Sequence, residues 1–294
     1  MHMILKFTFS RIWAVYSGVT IEPLSWRTRL LVVAPIGCAT ALDVMLSNWS
    51  LRYVTVTVYT IIKASVVLWT FFWGVILQLE SFKCKTCVAV FLITLGLSIA
   101  VFTTTNVSPF GAALVLLASA LGGVRWALTQ QLMAVDHQSK DVFVALYRFA
   151  PYSAVSLLPF ALILEGSLFV KSDFAAISPV TALLAVFVLV GGIIAFGLIV
   201  TEVHLVFLTS SLTMGVLGQL KELLQIGLAM LIFQDNLTFY NAAGIVIALG
   251  SVVYYKILRY KEWTSGHGEM PRKYLELSQV HTYFVYVCPN VLAI

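Results

Sequence analysis

Charged residues are scarce in this chain, and that scarcity limits its class before any motif is considered. Only 11% of its 294 residues are charged, 60% are hydrophobic, and the mean hydropathy is +0.96. Soluble globular domains carry about 25% charged residues, so a water-soluble globule of ordinary composition is excluded. We therefore expect an all-α polytopic membrane protein.

Several chemical signatures are also missing. The sequence contains no H-E-x-x-H, no G-x-G-x-x-G and no Walker loop, so hydrolytic, dinucleotide-dependent and ATP-driven chemistry have no motif. Its four cysteines are too few and too scattered for a disulfide framework, and one C-K-T-C cannot complete a zinc site. No basic run with interleaved aromatics indicates nucleic-acid binding. We expect a protein that is not an enzyme and holds no cofactor or metal.

The apolar stretches define the expected spans. Eight of them approach or exceed the ~20 residues that a helix needs to cross a bilayer. They cover residues 30–51, 54–79, 87–104, 110–133, 142–164, 179–206, 210–233 and 238–258. Residues 1–18 resemble the end of a further helix, and Pro151 and Pro159 predict a bent or broken fifth span.

Two lysines inside these spans indicate a site. Lys63 and Lys221 lie within apolar stretches, where a charge costs on the order of 3 kcal/mol and normally faces a bundle interior or a watery path. Two such lysines suggest an anionic ligand between them. Alternatively, each lysine only neutralises a carboxylate. Asp43 can pair with Lys63, because both lie about 12 Å from the turn that joins their helices. Glu222 points roughly 100° away from Lys221 and is a poorer partner for it.

A third cation has a less certain role. Ala118 and Gly122, like Ser119 and Gly123, are small residues four apart, a spacing that lets membrane helices approach closely. Arg125 follows one turn later. It is near enough to the helix end to extend its side chain to the membrane surface, and we favour that interpretation over ligand binding.

The loop charges predict the orientation. If the segment after Tyr255 is cytosolic, loops 20–29, 80–86 and 134–141 lie on the same side. The opposite loops hold only Arg52 and Lys171. Basic residues favour the cytosolic side, so we expect a cytosolic C-terminus. The basic residues on that side are Arg27, Arg29, Lys83, Lys85, Lys140, Lys256, Arg259, Lys261, Arg272 and Lys273.

The chain also repeats itself approximately. In each copy a lysine precedes an acidic loop, which is followed by a helix containing L-G. These residues are Lys63, Glu80 and Gly96 in the first copy, and Lys221, Asp235 and Gly250 in the second. Four spans separate the two lysine-bearing spans, so the second copy runs in the opposite direction, as in inverted-repeat transporters. We divide the chain into a first repeat (1–104), a second repeat (105–258) and a tail (259–294).

Three motifs carry a resemblance to a known family. A-L-D-V-M-L-S-N-W-S-L-R-Y-V-T-V-T-V-Y-T-I-I-K-A-S (41–65), G-G-V-R-W-A-L-T-Q (122–130) and T-S-S-L-T-M with L-K-E (209–222) resemble the nucleotide-sugar and triose-phosphate transporters. These belong to the drug/metabolite transporter superfamily. The chain is most similar to solute carrier 35 members related to the GDP-fucose transporters. The resemblance covers roughly residues 1–255.

The resemblance implies a fold and a location. Family members have ten helices with both termini cytosolic, mostly in Golgi or ER membranes. M-H-M-I-L resembles the middle of the family's second helix, so the first helix and part of the second have no counterpart here. We therefore expect the inverted-repeat fold with eight complete transmembrane helices and an N-terminal remnant. The first repeat then holds family helices 2–5, the second repeat holds helices 6–10, and the tail is cytosolic.

The resemblance also implies an activity, the exchange of a nucleotide sugar, such as GDP-fucose, for a nucleoside monophosphate. The alternatives are a sugar-phosphate/phosphate exchanger and a non-transporting regulatory or inactive truncated protein. Glu222 stands where plastid sugar-phosphate exchangers carry an arginine, which argues against plastid phosphate exchange. The expected partners are the two nucleotides and the lipid bilayer, without nucleic acid; a homodimer is a further candidate assembly. The candidate substrate-binding residues are Lys63, Lys221, Arg125, Asn48 and Tyr59, with Gln219 as a further polar candidate, and the ion-pair candidates are Asp43, Glu222 and Glu202.

Overall fold

The computed structural model describes residues 2–101, 108–171, 179–233 and 239–264, and every regular element in these ranges is helical. The helices are α1 (His2–Tyr16), α2 (Trp26–Ser50), α3 (Val56–Lys63), α4 (Val66–Ile76), α5 (Cys84–Val101), α6 (Pro109–Val135), α7 (Val142–Lys171), α8 (Pro179–Leu208), α9 (Ser211–Phe233) and α10 (Phe239–Thr264). Helix α2 contains a π-helical turn, Arg29–Val33, and a short 3-10 turn, Gln138–Lys140, precedes α7.

The helices match the predicted spans in place. A helix, or the α3–α4 pair, stands at each of the eight predicted positions. In the described part of the chain, six helices are long and apolar enough to cross a membrane. They are Trp26–Ser50, Val58–Ile76, Pro109–Val135, Val142–Leu162, Val186–Leu208 and Ala242–Lys261. The chain is therefore an all-helical, multi-pass membrane protein.

The helix break does not lie where the prolines predict it. The sequence predicted a bent or broken span at Pro151 and Pro159. Helix α7 continues through both prolines, so a break there is wrong and a bend stays a prediction. A proline inside a helix removes one backbone donor and crowds the carbonyl four residues earlier, but α2 packs closely beside Pro151. A Cβ on Gly37 would lie 2.6 Å from Cβ of Tyr152. This packing supports the helix across the proline.

The break lies instead beside Lys63, between α3 and α4. The Ser65 amide donates to the Ile62 carbonyl at 3.0 Å, three residues back rather than four, which closes a tight turn. The Ser119 hydroxyl, from α6, lies 3.4 Å from the same carbonyl. Irregular backbone within a membrane protein needs such partners. Lys63 therefore ends a helix about one third of the way into the predicted second span.

Small residues bring α6 against α2 and α4, as their spacing predicts. A Cβ on Gly123 would lie 2.6 Å from Cβ of Trp69, and one on Gly122 would lie 3.3 Å from Oδ2 of Asp43. No larger residue fits at Gly123 without moving a helix. The close approach places Arg125, one turn further along α6, beside α2.

We expect Gly123→Ala to destabilise the protein by roughly 1–3 kcal/mol, the usual cost of overpacking a closed contact. Gly191→Ala is the matched control, since nothing lies within 4 Å of a Cβ at that exposed position on α8. Thermal unfolding of the purified variants in detergent measures the difference. Equal melting temperatures for the two variants would show that α6 does not depend on this contact.

Helix α1 lies against α7 and α8 through stacked aromatic rings. The ring centroids of Phe7 and Tyr147 are 5.1 Å apart, as are those of Phe9 and Phe196. The helical period turns other side chains of α1 away from this contact and into the bundle. Lys6 is one of them, with only 4% of its surface exposed.

Candidate functional site

A cavity of about 270 Å³, here called the central cavity, opens between helices of both predicted repeats. Its charged lining side chains come from α2, α3, α6, α8 and α9, and Tyr59 and Gln219 line it as well. The charged residues are Asp43, Lys63, Arg125, Glu202 and Lys221. The fold thus gathers cations that are far apart in the sequence around one space.

Two side chains of α2 bind Lys63 at the wall of the central cavity. Its Nζ donates to Oδ1 of Asp43 and, at 3.0 Å, to Oγ of Ser47. The Tyr59 ring lies one turn earlier, with its centroid 6.0 Å from the ammonium. The ion pair expected from equal depths of Asp43 and Lys63 is therefore present. Ser47 was not among the predicted site residues, although it lies four residues after Asp43 and hence on the same helix face.

Arg125 turns inward, so the favoured interpretation that it reaches for the membrane surface is wrong. Its Nε lies 3.9 Å from Oδ2 of Asp43, and its guanidinium carbon lies 4.2 Å from the Trp126 ring centroid. Only 20% of the side chain is exposed. The glycines before it seat α6 against α2, and stacking on an aromatic face favours a guanidinium in a partly dry site. Asp43 is thus shared by two cations.

Lys221 is the most accessible of the three cations, with 47% of its side chain exposed. Its Nζ lies 3.5 Å from Oε1 of Glu202 on α8. Glu202, an ion-pair candidate from the sequence, is therefore its partner; the side chain of Glu222 lies outside the described residues. Gln219, two residues before Lys221, is 5% exposed, and its Oε1 has no hydrogen-bond partner among the described groups.

Asn48 is not brought to the central cavity. It lines a smaller space of about 140 Å³ between α2 and α7, with Trp49 and Arg52 among its neighbours. Five residues separate Asn48 from Asp43, which rotates the side chain by about 140° around the helix. Both residues were candidates because they lie at similar depth in the predicted span. The depth of a residue does not fix the direction of its side chain around the helix axis.

The lining of the central cavity has a positive surplus. Three cations face two carboxylates, and each carboxylate already contacts at least one of the cations. An anion entering the cavity could therefore replace Asp43 or Glu202 as the partner of Lys63, Arg125 or Lys221. Such exchange of partners inside a membrane bundle is typical of substrate pathways.

The match to known families agrees with this geometry. The family model described as the UAA transporter family matches residues 25–259. The chain belongs to this family. The match runs from the start of α2 through most of α10, so it includes every helix that lines the central cavity. The family resemblance expected from the sequence motifs is confirmed.

Individual relatives are transporters by name. A probable sugar phosphate/phosphate translocator of Arabidopsis thaliana is 28% identical over 97% of this chain and 70% of its own length. A second protein of that description, from the same plant, is 30% identical over 80% of the chain and 66% of its length. UDP-galactose transporter 1 of Arabidopsis thaliana is 26% identical over 82% of the chain and 70% of its length. This UAA transporter family member is thus related to proteins named for two kinds of phosphorylated sugar.

Proposed function

We propose that this protein exchanges a nucleotide sugar for a nucleoside monophosphate across a Golgi or ER membrane. The observation that carries the proposal is the central cavity, where Lys63, Arg125 and Lys221 face only two carboxylates. Nucleotide sugars and nucleoside monophosphates both present phosphate oxygens, which these cations would bind. Tyr59 and Gln219, from opposite halves of the chain, are placed to contact a base or a sugar.

The same contacts explain why exchange, rather than free passage, is expected. In the empty cavity Asp43 and Glu202 hold the cations, and in the loaded cavity the phosphates do so. A cavity without either partner would leave uncompensated charges in a low-dielectric space, at a cost of several kcal/mol per ion. We infer that the ion pairs of the empty cavity, which join α2 to α3 and α6 and join α8 to α9, hold the protein in one facing direction, so that reorientation requires bound phosphate. GDP-fucose is one substrate that this scheme admits.

The proposed architecture is the inverted repeat, with eight complete membrane helices and an N-terminal remnant. Gly96 and Gly250 are equivalent in the two sequence copies. Gly96 packs closely against α10, since a Cβ there would lie 2.5 Å from the Ala248 amide nitrogen. A Cβ added at Gly250 would have nothing within 4 Å of it. The two L-G helices are therefore in direct contact, and the contact is not symmetrical.

Reconstituted exchange tests the proposal. The full chain is purified and placed in liposomes loaded with GMP, UMP or CMP, and uptake of labelled GDP-fucose, UDP-galactose or CMP-sialic acid is measured. We expect uptake of one of these compounds only into liposomes that contain the matching monophosphate. Uptake of every compound no higher than into protein-free liposomes would remove the proposal and favour a non-transporting protein. Equal uptake into loaded and empty liposomes above that level would show transport without exchange.

A sugar-phosphate/phosphate exchanger is the second candidate, because the cavity is small. Its volume of about 270 Å³ lies below the ~300–1,000 Å³ of typical ligand pockets. A relative named as a sugar phosphate/phosphate translocator also covers nearly the whole chain. The same liposomes distinguish the candidates when they are loaded with inorganic phosphate. Uptake of triose phosphate or glucose 6-phosphate into those liposomes, without nucleotide-sugar uptake, would select this second activity.

The proposed orientation gives a separate prediction. With the native cysteines replaced, single cysteines at Lys140 and Lys261 should react with an impermeant thiol reagent added from the cytosolic side of sealed vesicles. A cysteine at Lys171 should react only after the vesicles are opened, because loop charges place that position on the far side. Labelling at Lys171 in intact vesicles would reverse the orientation.

A further inference from the structure

A largely buried ion pair joins α10 to the end of α4, away from the charges of the central cavity. Oε1 of Glu80, in the loop after α4, accepts from Nη2 of Arg259 on α10 at 2.5 Å. Only 7% of the Glu80 side chain is exposed. Nε of Arg259 also donates to the Tyr255 hydroxyl at 3.0 Å. Loss of one partner would leave the other charge without compensation, so this contact is stronger than an ordinary surface ion pair.

Tyr255 extends this contact to α9. Its hydroxyl lies 3.1 Å from Oγ1 of Thr213, and its side chain is fully buried. The same end of α9 is tied to α6, because Oε1 of Gln130 accepts from both the amide and the hydroxyl of Ser211, each at 2.7 Å. Polar contacts therefore connect the ends of α4, α9 and α10. The four side chains that make them, here called the latch, are Glu80, Arg259, Tyr255 and Thr213.

The backbone before Glu80 fixes the position of its carboxylate. Gln78 has a φ of 56°, a left-handed conformation that residues with a side chain rarely adopt. The chain reverses there, and the amides of Leu79 and Glu80 both donate to the Gly74 carbonyl, at 2.8 and 3.1 Å. A Cβ on Gly74 would lie 3.3 Å from Cγ of Glu80. Glu80 is thus held against the end of α4, so the ion pair must break when α4 and α10 separate.

The latch lies directly beyond one end of the central cavity. Thr70 of α4 and Gly215 of α9 line the cavity. Gly74 and Ser211, which belong to the contacts described above, stand one helical turn from them. A buried apolar cluster from α4, α5, α9 and α10 fills this end, and Tyr255 is part of it. Packed side chains of both predicted repeats therefore lie between the cavity and the latch.

We propose that the latch is a gate contact, which keeps the central cavity closed toward the predicted cytosolic side. The inference rests on the proposed function, because exchange requires the cavity to open to each side in turn. The loop charges assign loop 80–86 and the segment after Tyr255 to the cytosolic side. At the other end, Tyr59 and Thr60 line the cavity about one helical turn from the turn between α2 and α3. The structure then corresponds to the state that faces the lumen.

The approximate repeat places the latch at one end only. Arg259 stands nine residues after Gly250, and in the first copy Thr105 stands nine residues after Gly96. The same equivalence relates the acidic member of the latch to Asp235, so its counterpart pair would join an aspartate to an uncharged threonine. By this equivalence the latch is not repeated at the lumenal end. We therefore expect it to bias the empty protein toward one facing direction.

Thiol labelling in sealed vesicles tests the latch without depending on transport. With the native cysteines replaced, Gly215→Cys reports access to the cavity from the latch end. A Cβ there has only ordinary contacts, the nearest at 3.7 Å from a methyl group of Val67. Thr60→Cys reports access from the opposite end. An impermeant reagent is applied to vesicles sealed in each orientation, for Gly215→Cys from the side at which Lys140→Cys reacts and for Thr60→Cys from the other side.

Loss of the latch should open one end of the cavity. Glu80→Gln and Arg259→Met should each raise the labelling rate of Gly215→Cys at least about tenfold, without raising that of Thr60→Cys, because a population shift opens one end alone. Arg259→Lys keeps the charge, and its labelling rates should stay within about threefold of those with the natural latch. Lys85→Gln removes an exposed cation from the same end and is the matched control, for which neither rate should change.

The remaining outcomes separate the latch from the proposed function. Faster labelling at both cysteines would show a general loosening of the fold and would overturn the inference, as would unchanged labelling of Gly215→Cys in both latch variants. If exchange occurs in liposomes while the labelling is unchanged, the inference is wrong and the proposed function stands. If the labelling shifts as expected but none of the compounds is exchanged, the latch is a gate and the proposed function fails.

Discussion

Lys221→Gln is expected to reduce exchange at least about tenfold while leaving the protein folded and targeted. Lys221 is the most exposed of the three cations that line the central cavity, so we expect an entering phosphate to meet it first. Glutamine keeps the length and polarity of the side chain and removes only the charge. The loss should therefore appear in ligand binding and exchange, and not in folding.

The stability of this variant should change little. The Lys221–Glu202 contact is long, at 3.5 Å, and the lysine is 47% exposed, so the pair resembles surface ion pairs worth about 0–1 kcal/mol. Lys256→Gln is the matched control, because Lys256 is exposed on α10. Exchange by the control should be unchanged. A Lys221→Gln variant that exchanges at the natural rate would exclude Lys221 from the mechanism.

The sequence predicted the lysines of the site because their signal is physical. A charge in the middle of a long apolar stretch is expensive, and expensive residues are placed for a purpose. Lys63 and Lys221 satisfy that condition without any structural information. The partner of Lys63 was also predictable, since a tight hairpin turn fixes the relative depth of two helices. In an antiparallel helix pair, the number of residues from the turn gives the depth of each residue. Asp43 and Lys63 lie at nearly equal numbers of residues from their turn.

Rotation and packing were not predictable in the same way. The direction of Arg125 depends on how closely Gly122 and Gly123 seat α6 against α2, which is a tertiary property. The pairing of Lys221 with Glu202 joins two helices whose relative rotation no local pattern fixes.

The helix break beside Lys63 shows the same limit of sequence-based prediction, here for the backbone. Prolines are the strongest sequence signal for a break, yet α7 continues through two of them. The break beside Lys63 has no proline and is sustained by hydrogen bonds from Ser65 and Ser119. Neighbouring helices decide which backbone carbonyls accept a second hydrogen bond. Sequence alone therefore predicted where the helices lie, but not the interruption beside Lys63.

Asp43→Asn is expected to be the most destabilising conservative change in the central cavity. Asp43 is the shared partner of Lys63 and Arg125, so neutralising it leaves two partly buried cations facing each other. Removing one partner from a buried ion pair typically costs about 3–5 kcal/mol. Asparagine has nearly the same shape, so the loss reports charge. Asn48→Ala, on the same helix but facing the second cavity, is the control, and its free energy of unfolding should change much less.

Lys63→Gln should behave differently, because Arg125 remains beside Asp43 in that variant. We expect a smaller loss of stability, about 1–3 kcal/mol, together with loss of exchange. In the Asp43→Asn/Lys63→Gln double variant only Arg125 lacks a carboxylate, and it keeps its stacking on Trp126. The double variant should therefore be more stable than Asp43→Asn alone and still inactive. If the double variant is instead the least stable of the three, Asp43 does not act as the shared counterion of Lys63 and Arg125.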